Sequence, residues 1–343
     1  MQNGNDSFAF YRLPGQTTAW YIEGRCLPEM PSIETLMDSK YFVISPFNKQ
    51  DQTYAIQINS DRVFEANTHN DQFYHFSGRN YTSREKSHYL NLVNTAIQQM
   101  KSDCDFHKVV LARIKTIPLE NFDPIHLFSL LEETFPAAFV YLVSSPTTGT
   151  WLGATPELLL QSSTTKMETV ALAGTLPNLN LYKWSSKEKE EQHLVELYIE
   201  KILDENNFSF RKEGPSNLIS GNLKHLQTKY NIKTPSVYAK NRISQLIGCL
   251  NPTSAVGGME KEKAIRFIVE HEDFDRCFYS GFVGLFEPNN QRLYVNLRCM
   301  EWQYNKAILF AGAGITVHSD AESEFLETSG KMNALEQFLI PTK

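Results

Sequence analysis

The stretch that most constrains this chain is Leu309–Leu339. An apolar run, Leu-Phe-Ala-Gly-Ala-Gly-Ile-Thr, is opened by Gly312 and Gly314 and passes through His318, Ser319 and Asp320 into a charged helix. The two glycines free the backbone so that its N–H groups can approach an anion. Ser319 or Asp320 supplies the cap of the helix that follows. Glu324, Glu327 and Lys331 are three and then four residues apart, so they share one helix face. Phe325, Leu335, Phe338 and Leu339 anchor the apolar side. An anion cradle beside two carboxylates and a lysine suits a metal-assisted site for an acidic small molecule. The same residues also describe a surface helix with Glu–Lys support after a flexible turn.

The remainder of the chain favours a single large α+β domain over residues 1–343. Pro14-Gly15 turns an early hairpin. Tyr41–Pro46 and Thr53–Ile58 are strands, and Ser83–Met100 has helical apolar spacing with a capping box at Thr82 and Glu85. Strands are predicted from Phe106 to Arg113, Ala138 to Val143 and Thr150 to Ala154. Another runs from Lys166 to Leu176, with a tight turn at Gly174. Helices are predicted over Asp123–Glu133 and Lys187–Leu203. Gly214-Pro215 reads as a turn, Leu223–Tyr230 as a strand, and Ser244–Leu250 and Glu260–Glu270 as helices. Leu293–Met300 reads as one returning strand before the final meander. Together these predict extended antiparallel sheet flanked by helices, an α/β sandwich, with no repeat and no composition break.

The charge balance narrows the partners. A net charge of −6 without a basic run argues against nucleic acid. Five scattered cysteines lack metal spacing and fit a reducing cytosol, and no run reaches membrane-spanning length. The expected location is the cytoplasm. Gly-x-Gly-x-x-Gly after a first strand and the Walker lysine motif are both missing.

Single charged residues stand at several strand ends. Lys108 opens an apolar strand, where it is either an edge residue with its amine in water or a cleft base whose pKa burial has lowered. Glu157 follows Pro156. It either begins a surface helix or is a partly buried acid suited to protonating a leaving group. Glu188 and Glu191 lie one turn apart on a helix that also reads as a solvated face. If they converge with Glu324 and Glu327, four carboxylates call for a hard divalent cation, and Mg²⁺ is the usual occupant.

Six motifs give a more specific reading. Lys108-Val-Val-Leu-Ala-Arg113, Gly153-Ala-Thr-Pro-Glu157-Leu-Leu-Leu, Ala171-Leu-Ala-Gly-Thr175, Asn251-Pro-Thr-Ser-Ala-Val-Gly-Gly258, Tyr279-Ser-Gly-Phe-Val-Gly284 and Ala311-Gly-Ala-Gly-Ile315 occur in order, followed by the helix Glu322–Leu335. They resemble the chorismate-utilising enzymes, the family of anthranilate synthase component I, aminodeoxychorismate, salicylate and isochorismate synthases. The likeness covers residues 81–343, and residues 1–80 correspond to the family's variable N-terminal part. The resemblance implies that fold, and it implies roles. Lys108 is then the base that activates water for attack at C2 of chorismate. Glu157 is the acid that protonates the departing C4 hydroxyl. Glu191 and Glu327 are the principal Mg²⁺ carboxylates, completed by Glu188 and Glu324. Tyr279, Arg298 and the N–H groups around Gly312 and Gly314 grip substrate carboxylate, and Lys331 supports that end. His225 lies near the ring, with Gly174 and Thr175 beneath it.

Two positions sort the subfamily within that resemblance. Ammonia-using members usually carry glutamine where this chain has Lys108, since water at neutral pH needs a base and ammonia does not. Aminodeoxychorismate synthases usually carry a nucleophilic lysine where this chain has Ala173. The implied enzyme is an isochorismate synthase, an isomerase feeding menaquinone or siderophore biosynthesis. The alternative is a salicylate synthase, which also eliminates pyruvate. The resemblance implies a monomer without an amidotransferase subunit.

Overall fold

The computed structural model describes residues 6–339 other than 28, 30, 49–50, 66–71, 76–78, 80, 179–182, 222 and 234–238. The chain opens with the hairpin β1 (Ser7–Arg12) and β2 (Ala19–Cys26), then α1 (Ile33–Leu36), β3 (Tyr41–Ser45) and β4 (Tyr54–Val63). Next come α2 (Lys86–Ser102), β5 (Val109–Pro118), α3 (Pro124–Thr134), β6 (Phe139–Ser145) and β7 (Gly149–Thr155). The middle holds β8 (Leu158–Ser163), β9 (Met167–Pro177), α4 (Ser186–Glu205), β10 (Phe210–Ser220) and β11 (Leu223–Ile232). After α5 (Lys240–Leu250) and α6 (Lys261–His271) come β12 (Phe282–Glu287), β13 (Asn290–Val295), β14 (Cys299–Gln303), β15 (Lys306–Ile315) and α7 (Ala321–Glu336).

The strands join in the order β10-β11-β9-β8-β13-β12-β3-β4-β2-β1-β6-β7-β14-β15-β5, every described pairing antiparallel. Alternation along the strands decides the layers. In β1, Ala9 and Tyr11 join a core built from strands and the 274–279 segment, with Phe42, Tyr141, Val283 and Phe310. Phe8 and Phe10 face the other way, onto Leu127, Phe128 and Leu131 of α3 and Leu335 of α7. The sheet therefore curls until its halves pack on one another, with helices outside. Helices α4 and α5 cover one outer face and α2 and α6 another. This is the large antiparallel sheet with flanking helices that the sequence predicts.

Local readings fail where the ladder overrides a turn signal. Gly214-Pro215 does not end a strand: β10 runs through it, and the register with β11 shifts between Glu213 and Ser216. Gly174 is a bulge inside β9 rather than a turn, with φ +65 and a register shift opposite His225 and Leu226. The predicted box at Thr82 and Glu85 does not form; α2 starts at Lys86 with no side-chain cap. Leu293–Met300 is not one strand, because Arg298 takes φ +46 between β13 and β14. Glu157 starts no helix and precedes the strand β8.

Candidate active site

The two ends of the strand order meet around one cleft. Strands β9 and β11 supply Ala173, Gly174, Thr175 and His225, and β5 and β15 supply Val110, Phe310, Ala311 and Gly312. Glu157, Tyr279 and Arg298 enter from connections, Glu191 from α4 and Lys331 from α7. The cleft encloses about 720 Å³ with its open mouth included. That is within the usual range for small-molecule sites.

Glu157 is 2% exposed at the cleft wall. Burial pushes its carboxyl up to about 8, against a 3.4 Å hydrogen bond donated by Thr253 and the charges of Lys108 and Lys331. It is therefore mainly protonated at neutral pH and able to donate. Lys108 is fully buried and does not line the cleft; Val110, two residues along the same strand face, does. The Lys108 ammonium has no hydrogen-bond partner among the described residues and lies 3.9 Å from Glu191 Oε1. Burial pulls its pKa down, helped by the charge of Lys331 and opposed by Glu191, Glu157 and Glu327. The surface reading of Lys108 is thereby excluded. Acid and base feel each other's charge.

Gly312 and Gly314 are not a loop cradle; both are strand residues, paired with Ala112 and Val110. Their glycine character answers crowding. A Cβ on Gly314 would sit 2.9 Å from Glu191 Oε1 and 3.0 Å from Lys108 Cε. One on Gly312 would meet Tyr279 Oη at 3.1 Å. Gly312 lines the cleft and its carbonyl accepts from Lys331 at 2.9 Å, whereas Gly314 backs Lys108.

The far wall is cationic. His225 Nδ1 lies 3.2 Å from the Gly174 carbonyl, and Nε2 lies 2.5 Å from Arg298 Nη2. Burial and the charges of Arg298 and Lys331 hold this imidazole well below its ordinary pKa, so it is neutral. Nδ1–H then donates to Gly174, and Nε2 accepts from Arg298. Burial lowers Arg298 to about 10, which leaves it charged. Burial also raises the Tyr279 phenol to about 12, so it stays a donor. Burial works against the charge on Lys331, but Glu327 at 2.8 Å and Glu191 more than offset it.

Three of the four predicted metal carboxylates gather, and the fourth does not. Glu191, Glu324 and Glu327 all act electrostatically on Lys187, whose amine lies 2.8 Å from Glu324 Oε1. Glu188 instead accepts from the Ser185 N–H at 2.7 Å in a capping box. That box is legible as Ser-x-x-Glu in the sequence. Among the described residues, no three His, Cys, Asp or Glu side chains stand close enough to form a ready metal centre. Even so, Glu324 is 1% exposed with Oε2 unpartnered among the described residues, and burial and Glu327 raise its pKa. A buried carboxylate oxygen without a donor, beside two more carboxylates, fits a hard divalent cation.

Sequence reasoning missed Gln192 and the part played by Thr253. Gln192 is 2% exposed; it accepts from Ala173 N at 2.9 Å and donates to the Ala171 carbonyl, fixing the bulge under the cleft.

Comparison with known proteins gives the family and the fold. Isochorismate synthase EntC of Escherichia coli K12 is 30% identical over 241 residues, covering 66% of this chain and 61% of that protein. The chain thus spans about three fifths of that relative's length. Isochorismate synthase DhbC of Bacillus subtilis is 29% identical over 280 residues, covering 73% of this chain and 67% of that protein. Among solved structures, MenF, the menaquinone-specific isochorismate synthase of Escherichia coli, superposes with TM-score 0.81 at 19% identity over 99% of this chain and 90% of that one. Anthranilate synthase component I of Streptococcus pneumoniae superposes with TM-score 0.70 at 16% identity over 98% and 92%. At those identities the structural likeness is one of fold. The sequence profile described as "Chorismate binding enzyme" matches residues 27–340, nearly the whole chain, and the protein belongs to that family.

Proposed function

We propose that this chain is an isochorismate synthase that converts chorismate to isochorismate, acting as one catalytic unit. One observation carries the reading: a glutamate raised to about 8 lines the cleft, and a fully buried lysine with a lowered pKa lies directly behind its wall, close enough for the two charges to act on each other. Attack at C2 and departure at C4 occupy the two ends of an allylic system. Lys108 takes a proton from water as its oxygen bonds to C2. The ring double bond shifts, the C4–O bond breaks, and Glu157 gives its proton to the leaving hydroxyl. One water is consumed and one released. Positioned proton transfer of this kind contributes roughly 10²–10⁴-fold. Arg298, Lys331 and Tyr279 hold the substrate carboxylates, while neutral His225 with Gly174, Thr175 and the Gly312 backbone borders the ring.

Glu191, Glu324 and Glu327 would hold Mg²⁺, and Glu188 would complete the set only if it left the Ser185 cap. When bound, the metal neutralises a substrate carboxylate. A lysine base also explains why no ammonia-delivering subunit is needed. The family match and the names of the relatives support the substrate. The expected location is the cytoplasm, and no described helix is long and apolar enough to cross a membrane.

The test is product analysis of the purified protein with chorismate and Mg²⁺. Isochorismate as the product, lost on chelation and regained with Mg²⁺, is expected. Salicylate plus pyruvate would move the reading to the longer reaction. Anthranilate formed only with ammonium salts, or no turnover, would reject it.

A further inference from the structure

Strand β5 is the last in the strand order, so among the described residues one of its edges has no neighbouring strand, yet its first four residues, Val109–Ala112, are buried. Such an edge needs partners for its backbone groups. Two come from a loop: Met259 N donates to the Lys108 carbonyl at 2.9 Å, and Val110 N donates to Gly257 O at 3.0 Å. The next two come from side chains. Glu272 Oε1 accepts from Ala112 N at 2.7 Å, and Arg276 Nη2 donates to the Val110 carbonyl at 2.6 Å. A glutamate and an arginine here stand in for a strand.

The two residues also bind each other. Arg276 Nε donates to Glu272 Oε2 at 2.7 Å, and Nη2 reaches Oε1 at 2.5 Å. Their side chains are 2% and 1% exposed. The other arm of the fork, Nη1, donates to the Val256 carbonyl at 2.9 Å. One guanidinium thus ties the base's strand to the 251–258 loop. That loop carries Thr253, the hydrogen-bond donor to Glu157. The Arg276 carbonyl accepts from Tyr279 N at 2.9 Å, which extends the tie to a third wall. Neither Glu272 nor Arg276 lines the cleft. A buried ion pair is a poor source of stability compared with apolar packing, so its value lies in geometry. Lysine could not replace the fork, because one ammonium cannot offer two parallel planar donors.

We propose that Glu272 and Arg276 are positioning residues that set the spacing between Lys108 and Glu157, a role that rests on the isomerase reading above. The tests are Arg276→Lys, which keeps the charge and loses the fork, and Glu272→Gln, which keeps an acceptor for Ala112 and serves if the first variant does not fold. Each is measured for thermal melting, for kcat and KM against pH, and for hydrogen exchange in peptides spanning 106–113 and 251–259. Melting within a few degrees of the parent is expected, with KM little changed and kcat lower by about 100-fold, the cost of a misplacement near 1 Å. Exchange should rise in those two peptides only. The basic limb of the pH profile should move to lower pH, because water entering a looser cleft lets the Glu157 carboxyl fall from about 8. A purely structural role would lower the melting point and leave that limb in place. Parental exchange in both peptides, or a parental kcat, overturns the proposal while the isomerase reading stands. A parent that does not isomerise chorismate overturns the isomerase reading and, with it, the positioning role.

Discussion

Replacing Lys108 with methionine separates what the fold requires from what the chemistry requires. The side chain is fully buried and its amine has no hydrogen-bond partner among the described residues. An unsatisfied buried polar group costs about 1–3 kcal/mol. Methionine has nearly the same length, and volume-conserving swaps cost under about 1.5 kcal/mol. The attraction lost is to Glu191 at 3.9 Å, and Glu191 keeps Lys331 as a partner. The balance is a gain of about 1 kcal/mol, a rise of about 1–2 °C in melting temperature for a chain this long. The gain should depend on pH. A lysine lowered below 10.5 by burial sheds its proton more readily when folded, so the unfolded chain binds more protons in that window. The parent therefore loses stability as pH falls from 10.5 towards the folded pKa. The advantage of Lys108→Met widens over the same window and then levels off. Thermal melts at several pH values, paired with chromatographic assay of isochorismate, check both halves. A variant that melts below the parent at neutral pH, or one that keeps turnover, would refute the reasoning.

Two further outcomes follow from the same cleft. Turnover should decline as pH rises through about 8, where Glu157 gives up the proton it must donate, and Glu157→Gln should lose roughly 10²–10⁴-fold in kcat together with that limb; a parent profile flat to pH 10 would contradict this. Gly314→Ala puts a methyl group 2.9 Å from Glu191 Oε1 and 3.0 Å from Lys108 Cε, both on movable side chains, so the strand should hold while kcat falls by about 100-fold; unchanged kinetics would mean that Lys108 need not keep its place.

The sequence is legible wherever a local pattern and the final environment agree. Asp123 with Pro124 starts α3, and Asp320 caps α7 through the Ser323 N–H at 2.9 Å. The faces of α4 and α7 put Glu191, Glu324 and Glu327 together because helical spacing is rigid. Glu188 went astray because two rules compete for one carboxylate: it stands one turn before Glu191, and it is also the third residue after the cap Ser185. Gly214-Pro215 misled because a turn dipeptide can be carried as a bulge when the flanking residues pair. Glu272 and Arg276 look like an ordinary polar turn, Glu-Asp-Phe-Asp-Arg. Their function depends on an edge strand 160 and 166 residues earlier, which no local window contains.

The chemistry of the cleft has one physical origin. Burial is the largest influence both on Glu157, which it raises, and on Lys108, which it lowers. The same dry surroundings that keep an acid protonated move an amine towards its free-base form, so the pair needs no separate tuning devices. Dryness of that kind needs walls on every side, and a flat sheet with helices on it offers none. Here β9 and β11 lie near one end of the strand order and β15 and β5 at the other. The curl that packs the sheet's halves against each other also brings those ends to face across the substrate space, with α4 and α7 closing it. The site is therefore a consequence of closure of the whole sheet, not of any one motif.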